Sequence, residues 1–388
     1  MTTRYLGVTW DHPRGRDALV AATPHALDLD IEIVWAAQSL EDFESRPIED
    51  LCARYDVVVL DHPHVGEAAI KGVLQPLDLL YPAEVLSEIA HETIGPCFDS
   101  YRYAGHVWGL PLDAASQVMV LRPDLLGGPE PSTWSEVEAL SQRTGAVALS
   151  LAGPHALLTL FSIAAALKGD AGEGDGQVLL AADAGREAVE LMSRLLARVP
   201  TRALELNPIA LLNEMASHDE IALCPLVYGY VNYAVAGPRR HALRFVNAPR
   251  GSAGGRPGST LGGTGIAISA RCLAADSLLE HLRWLMSPAI QNEFIPANSG
   301  QPSRRSAWLQ PGLSGRWGGF YGSTLETLER AFVRPRYPGY VAFQASASAY
   351  LRAALAEGRS AERVVHDLNE MHRSRRQSGP AQEDRLDA

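Results

Sequence analysis

The chain has 388 residues and a mass of 41.8 kDa, a length that favours two or three domains over one. With 46% hydrophobic and 20% charged residues, it has enough apolar material for sizeable cores and too little charge to stay unfolded. Its 34 Lys+Arg against 45 Asp+Glu leave a net charge of −11, which excludes a broad electrostatic footprint for DNA or RNA and argues against adhesion to anionic membranes.

The first 110 residues alternate strand and helix signals. Leu6–Trp10 reads as a short strand, Asp11–Gly15 as a Pro/Gly turn, and Arg16–Ala26 has helical spacing. Ile31–Trp35 alternates as a strand, and Ser39 opens a helix with Asp42 three positions on, close to a capping box. Asp56–Leu60 is a continuous β-branched run, the mark of a strand buried on both faces. Strands alternating with helices predict a parallel sheet with right-handed crossovers. Further on, Val118–Leu121 reads as a strand, and Pro131–Trp134 caps a helix through about Ser141. Val147–Leu151 is strand-like, and Pro154–Lys168 and Arg186–Ala197 are helical. Gly169–Gly176 (GDAGEGDG) between those helices is a loop. Ile221–Leu226, Leu243–Val246 and Ile266–Ser269 are strands, the last preceded by the Gly/Pro-rich Pro249–Gly263. A helix then carries the apolar stripe Leu278, Leu282, Leu285. The tail from His372 has no apolar periodicity and reads as disordered.

Two short echoes stand out. Trp10–Pro13 is W-D-H-P and Leu60–His64 is L-D-H-P-H, each directly after a predicted parallel strand. Ligands of open α/β sheets sit beyond the carboxyl ends of the strands, so both turns are expected to line one crevice. The alternative is that each Asp caps the next helix and Pro starts it. The longest apolar run, Ala156–Leu167, is too short for a bilayer, which needs about 20 residues, so no membrane insertion is expected. The start has no basic–apolar leader and no cysteine for a lipid anchor. As written, the chain is expected in the cytoplasm; an in-frame upstream extension would send it to the periplasm or cell surface. Cys52, Cys97, Cys224 and Cys272 form no C-x-x-C pair and are expected as buried free thiols.

Several segments together resemble the large family of ABC-type extracellular solute-binding proteins that includes the maltose- and other sugar-binding proteins. They are Tyr55–Leu60 followed by Gly72–Asp78 (GVLQPLD), Trp108–Asp113 (WGLPLD) with Ser116–Arg122, and Pro131–Glu136 (PSTWSE). Gly262–Ser269 (GGTGIAIS), followed by Leu278–Ser287 and Gln291, and Asn298–Arg305 (NSGQPSRR) complete the set. Each is weak alone; their order and spacing over residues 4–371 carry the likeness. It implies a periplasmic-binding-protein-like type II α/β fold: two α/β lobes joined by crossover hinges around a ligand cleft. Lobe one would be 1–111 plus 258–310, and lobe two 112–257 plus 311–371, with 372–388 as the tail. The paired D-H-P turns and the missing export signal depart from the family pattern.

Trp10, Asp11 and His12, with Asp61, His62 and His64, are expected to contact ligand at the strand ends, capping or packing being the alternative. His62 and His64 could hold a metal as an H-x-H pair, but spacing fixes no third ligand, so neither a metal nor a cofactor is expected. A His–Asp pair also suits general acid–base work. Asp113 and Ser116 follow the first crossover and are placed facing the cleft, or capping a turn. Tyr228 and Tyr230 share one side of an extended segment, and the resemblance puts an aromatic ligand wall there. Arg304 and Arg336 lie in compact basic clusters suited to a carboxylate or phosphate, and Trp317 is a candidate stacking ring. Gly262, Gly263 and Gly265 lack the G-K-[ST] of a phosphate loop and precede a strand, so they read as a hinge.

The leading function is capture of a small polar ligand, sugar-like or sugar-acid-like, by hinge closure, with an ABC permease as the partner that the resemblance implies. One alternative is a cytoplasmic enzyme on the same scaffold. It would use His12, His62 or His64 with Asp11 or Asp61 as acid and base on an anionic small molecule. A second is a cytoplasmic ligand sensor.

Overall fold

The computed structural model describes residues 2–168, 176–199, 201–237 and 240–377. The loop expected at 169–176 therefore lies almost wholly outside the described residues. Seven strands build the main sheet: β1 (Thr3–Trp10), β2 (Ile31–Gln38), β3 (Val57–Leu60), β4 (Leu110–Leu121), β5 (Leu223–Tyr228), β6 (Arg244–Val246) and β7 (Leu261–Ile268). Their order is β2-β1-β3-β7-β4-β5, with β6 also paired to β4. β1 runs parallel to β2, from Thr3 opposite Ile31 to Trp10 opposite Gln38, and parallel to β3 at Gly7 and Val8.

Beyond β3 every pairing is antiparallel: β3 with β7, and β4 with β7, β5 and β6. The parallel-sheet expectation, drawn from the first 110 residues, holds for β1, β2 and β3, and the later strands join them antiparallel. β4 carries the chain away from the first three strands and β7 brings it back beside them, so the two run in opposite directions. β4 is buried along all twelve residues. Only its end, Val118–Leu121, is legible in the sequence, because Pro111, Asp113 and Ser116 interrupt the apolar run ahead of it. Val147–Leu151 forms no strand and makes only an isolated bridge from Val147 to Leu223. The Gly153–Pro154 turn into the next helix cuts any extension short.

The helices follow their local signals. The Ser39 side chain accepts from the Asp42 amide at the start of the helix Leu40–Ser45. Thr133 and Glu136 close a reciprocal capping box on the helix Trp134–Thr144. Leu278, Leu282 and Leu285 are fully buried on the helix Asp276–Leu285. The helices His155–Lys168, Ala182–Leu196, Tyr340–Ala356 and Ala361–Gln377 pack on one another, while Thr23–Asp28 packs on β2 and on Asp276–Leu285. The result is a mixed α/β structure in two lobes. The last helix runs to Gln377, into the stretch read as disordered. Its stripe Val364, Val365, Leu368 is completed by His372, which is fully buried with Nδ1 3.1 Å from the Tyr337 hydroxyl. A buried histidine does not register as an apolar position, so the stripe looked shorter than it is. Residues 378–388 lie outside the described residues. All four cysteines are free and buried.

Candidate functional site

The site is built where β1 and β3 end. After Trp10 the chain turns through extended His12, whose Nδ1 accepts the Arg14 amide at 3.1 Å, and Pro13 opens the helix Pro13–Ala21. Histidine, not Asp11, is thus the cap. Trp10 stacks on His12 with ring centres 5.3 Å apart, meets Tyr230 edge-on at 5.8 Å and leans on Phe43 at 6.0 Å. The indole lies so close to the helix that a Cβ on Gly15 would come 2.0 Å from its Nε1, so only glycine fits there.

Arg14, in the first turn of that helix, is buried beneath these rings. Its Nε donates to Asp113 Oδ2 at 2.9 Å, its Nη2 donates to Oδ1, and its Nη1 donates to the Gly229 carbonyl at 2.9 Å. The guanidinium also stands 4.9 Å from the centre of the Tyr230 ring. Burial opposes its charge, but Asp113 more than compensates and raises its pKa.

At the end of β3 a second pair repeats this theme. Arg334 Nη2 reaches both oxygens of Asp61, at 2.7 and 2.6 Å. Burial alone would raise the Asp61 carboxyl; Arg334, followed by His62, holds it well below the usual carboxylate range. His62 is fully buried, and its ring nitrogens make no hydrogen bond, although Nδ1 is 3.2 Å from Asp61. Burial and the Arg334 charge push its pKa down to about 4. Burial and Arg14 lower His12 to about 3. Both rings are neutral at physiological pH.

Three adjoining cavities share Glu44. The inner one, about 50 Å³, is lined by Trp10, Arg14, Phe43, Asp61, Tyr228 and Tyr230. A gap of about 20 Å³ follows, beside His64, Arg334 and Gln344. The outer chamber, about 420 Å³, lies between the helices Leu40–Ser45 and Tyr340–Ala356, with Glu67, Arg352 and Arg375 also on its walls. Gly262 floors the inner cavity, where a Cβ would come 2.4 Å from the Tyr228 ring.

Of the residues singled out in the sequence, Trp10, Asp61, Tyr228 and Tyr230 line the inner cavity, and His64 lines the outer two. Asp113 sits behind the inner cavity as the counter-ion of Arg14. Ser116 is buried in β4, its carbonyl accepting the Gly229 amide at 3.2 Å. The others are placed elsewhere. Asp11 points to solvent and pairs with Arg16 at 2.5 Å. His12 is spent on its cap, and His62 lines none of these cavities. Arg304 pairs with Glu92 at 3.1 Å, and Arg336 donates to the carbonyls of Asp99 and Arg102, both at 2.8 Å. Trp317 ends a short helix, partly buried against the core. The arginine fork expected for an anionic ligand is thus not assembled from Arg304 and Arg336.

Arg14, Phe43, Glu44 and Gln344 were not picked out in the sequence. Arg14 had a usable signal, since it stands two residues after the first D-H turn on the same strand end. The other three come from helices whose approach is a tertiary fact.

Residues 51–313 match the family model of bacterial extracellular solute-binding proteins. No curated protein matches the chain. Among solved structures, a solute-binding protein of Agrobacterium radiobacter in complex with ribitol matches with a TM-score of 0.78 at 19% identity, over 96% of this chain and 98% of that one. Maltose-bound MalE3 of T. maritima gives 0.75 at 18% identity, over 96% and 99%. The GacH receptor of Streptomyces glaucescens gives 0.78 at 16% identity, over 98% and 100%. At such identities the likeness is one of fold. No helix among the described residues is long and apolar enough to cross a membrane. The family is described as extracellular, which gives the cytoplasmic expectation no support. The family match over residues 51–313, on a two-lobed α/β frame with a crevice at its strand ends, identifies the chain as a member of the bacterial extracellular solute-binding protein family.

Proposed function

We propose that this chain captures a small, uncharged, polyhydroxylated solute, a sugar or sugar alcohol, between its lobes and presents it outside the cytoplasm to an ABC-type permease. The observation that carries the ligand class is the charge pairing of the crevice. Arg14 is neutralised by Asp113 and Arg334 by Asp61, while Trp10, Phe43, Tyr228 and Tyr230 supply the apolar faces. Among the described residues the inner cavity therefore has no unpaired guanidinium for a phosphate, and rings facing a polar floor suit a sugar ring with its hydroxyls. The ribitol- and maltose-bound relatives support the same class. The inner cavity is too small for such a molecule as it stands, so entry requires the lobes to part, with the hinge in β4 and β7. On this reading the lobes are 1–111 plus 258–310 and 112–257 plus 311–371.

The test is incubation with a defined pool of sugars, sugar alcohols, sugar acids and phosphates, scored by mass spectrometry for what is retained and what changes. A neutral polyol retained unchanged, with affinity lost by about tenfold or more in Trp10→Ala or Tyr230→Ala, is the expected outcome. Selective retention of a phosphate overturns the charge argument. Consumption of a compound with a new mass appearing overturns the binding reading.

A further inference from the structure

The outer chamber, between the helices Leu40–Ser45 and Tyr340–Ala356, carries charges of both signs. Most of them are accounted for. Arg46 pairs with Asp42 at 3.0 Å, and Glu49 and Glu67 share Lys71. Glu41 and Arg375 are exposed, where water screens them. Glu44 and Arg352 are different, because both are half-buried. Among the described residues no lysine or arginine pairs with Glu44; its neighbour is the buried His155 imidazole, with Nε2 3.2 Å from Oε1. Arg352 has no carboxylate partner among the described residues, and burial lowers its pKa with nothing to offset it. Its Nη1 donates to the carbonyls of Leu151 and Gly153, which leaves the Nε–Nη2 edge without a bond. One turn brings the two charges to the same chamber, since Gly153 rests on Arg352 and His155, two residues on, rests on Glu44. Yet they form no ion pair with each other.

We propose that the outer chamber is a second binding site, separate from the inner cavity, for a small zwitterion: an α-amino acid with an apolar side chain. Its ammonium group donates to the Glu44 carboxylate. Its carboxylate accepts from the Nε–Nη2 edge of Arg352, the fork that suits two parallel hydrogen bonds. A half-buried charge has already lost part of its water, so a counter-ion delivered by a ligand stabilises it more than one met in open solvent. A zwitterion satisfies both charges at once and brings no net charge into the chamber; a singly charged molecule leaves one of them bare. Ile48, Val341 and Ala345 give the side chain an apolar wall. The volume of about 420 Å³ falls in the range of about 300–1,000 Å³ usual for small-molecule sites. Bound there, the amino acid ties the two helices together across the chamber.

The test is calorimetric titration of the full chain, without sugar, with a panel of the aliphatic and aromatic L-α-amino acids. One molecule bound per chain by at least one member, with a raised melting temperature, is expected. The same molecule lacking its amino group, and the one lacking its carboxyl group, should each bind at least about tenfold more weakly, because each loses one charge-assisted contact. Arg352→Gln and Glu44→Gln should each weaken binding by a similar factor, and Arg352→Lys should recover part of the loss. Arg352 lines the outer chamber and neither of the other two cavities, so its effect reports on this site and not on sugar capture. Melting of the ligand-free variants checks that they fold, and the two single-charge analogues are tested on the unaltered chain. No binding by any member of the panel at millimolar concentration, equal binding of either analogue, or unchanged affinity in folded Arg352→Gln overturns the proposal. The sugar reading survives each of these outcomes, since it rests on the inner cavity.

Discussion

Arg14 carries more of the site than any residue with an obvious motif. Its charge is buried, and among the described residues the carboxylate that pairs with it is Asp113. Removing one member of such a pair strands the other, which costs about 3–5 kcal/mol, whereas removing both costs far less. Arg14→Met and Asp113→Leu should therefore each lower the stability read by chemical denaturation by about that much, and the double variant should recover most of the loss. Full additivity would show that the two side chains do not act as a pair. His62 sets a different expectation. Its pKa is lower in the folded chain than in the unfolded one, so the unfolded state binds more protons at intermediate pH. Stability must fall as pH drops from about 6.5 to about 4, with a slope of at most about 1.4 kcal/mol per pH unit for this ring. His12 adds a similar loss that continues to about pH 3, and Asp61, held below its ordinary pKa, adds another further into acid. His62→Leu should make the fall in melting temperature between pH 6.5 and 4 shallower, with His12 still contributing, while leaving the value near pH 7 little changed, because both ring nitrogens already lack hydrogen bonds. An unchanged acid slope in that variant would remove His62 as its source.

At the scale of elements, the helix Leu40–Ser45 is the one that crosses the mouth of the crevice. Asn207 Nδ2 donates to Glu41 Oε1 at 2.6 Å, and His155 Nε2 stands 3.2 Å from Glu44 Oε1. Asn207 also caps the helix Pro208–Ser217, and His155 begins the helix His155–Lys168, so both partners sit on rigid elements. Both contacts join the two sides of the mouth, so the proposed opening of the lobes would break them. Glu41→Ala with Glu44→Ala should accelerate ligand dissociation severalfold in stopped-flow fluorescence, with little change in association, since breaking closed-state contacts acts mainly on escape. A slower dissociation would show that the two contacts hinder closure. The first turn of the helix Pro13–Ala21 is equally demanding. Gly15→Ala places a Cβ against the Trp10 indole and should cost roughly 1–3 kcal/mol by forcing the ring aside. Trp10 fluorescence would shift along with the loss of stability.

For the whole molecule, capture means closure. The ligand identified from the pool should reduce the radius of gyration in solution scattering and raise stability, by about 2.7 kcal/mol when its concentration is a hundred times Kd. Binding with no change in scattering would place the ligand in the outer chamber of about 420 Å³ without movement of the lobes.

Local physics made part of this protein legible from its sequence. Chain-local signals located β1 to β3, the caps at Ser39 and Thr133, and the stripe Leu278, Leu282, Leu285, because each depends on neighbours within a turn or two. The ordered segments from Tyr55 to Arg305 carried the family likeness. Trp10, Asp61, Tyr228 and Tyr230 were recoverable as wall residues, since strand ends and an aromatic run directly after a strand announce themselves. Only the tertiary structure decided which charges meet. Arg14 finds Asp113 across ninety-nine positions and Arg334 finds Asp61 across two hundred and seventy-three. Those pairings neutralise the two buried guanidiniums at the crevice. They also decided that β4 and β7 run antiparallel, and that His62 is walled in while Arg304 and Arg336 serve other segments. A residue type states what a side chain can bond; which partner it reaches depends on how strands far apart in sequence are brought side by side, and no periodicity encodes that.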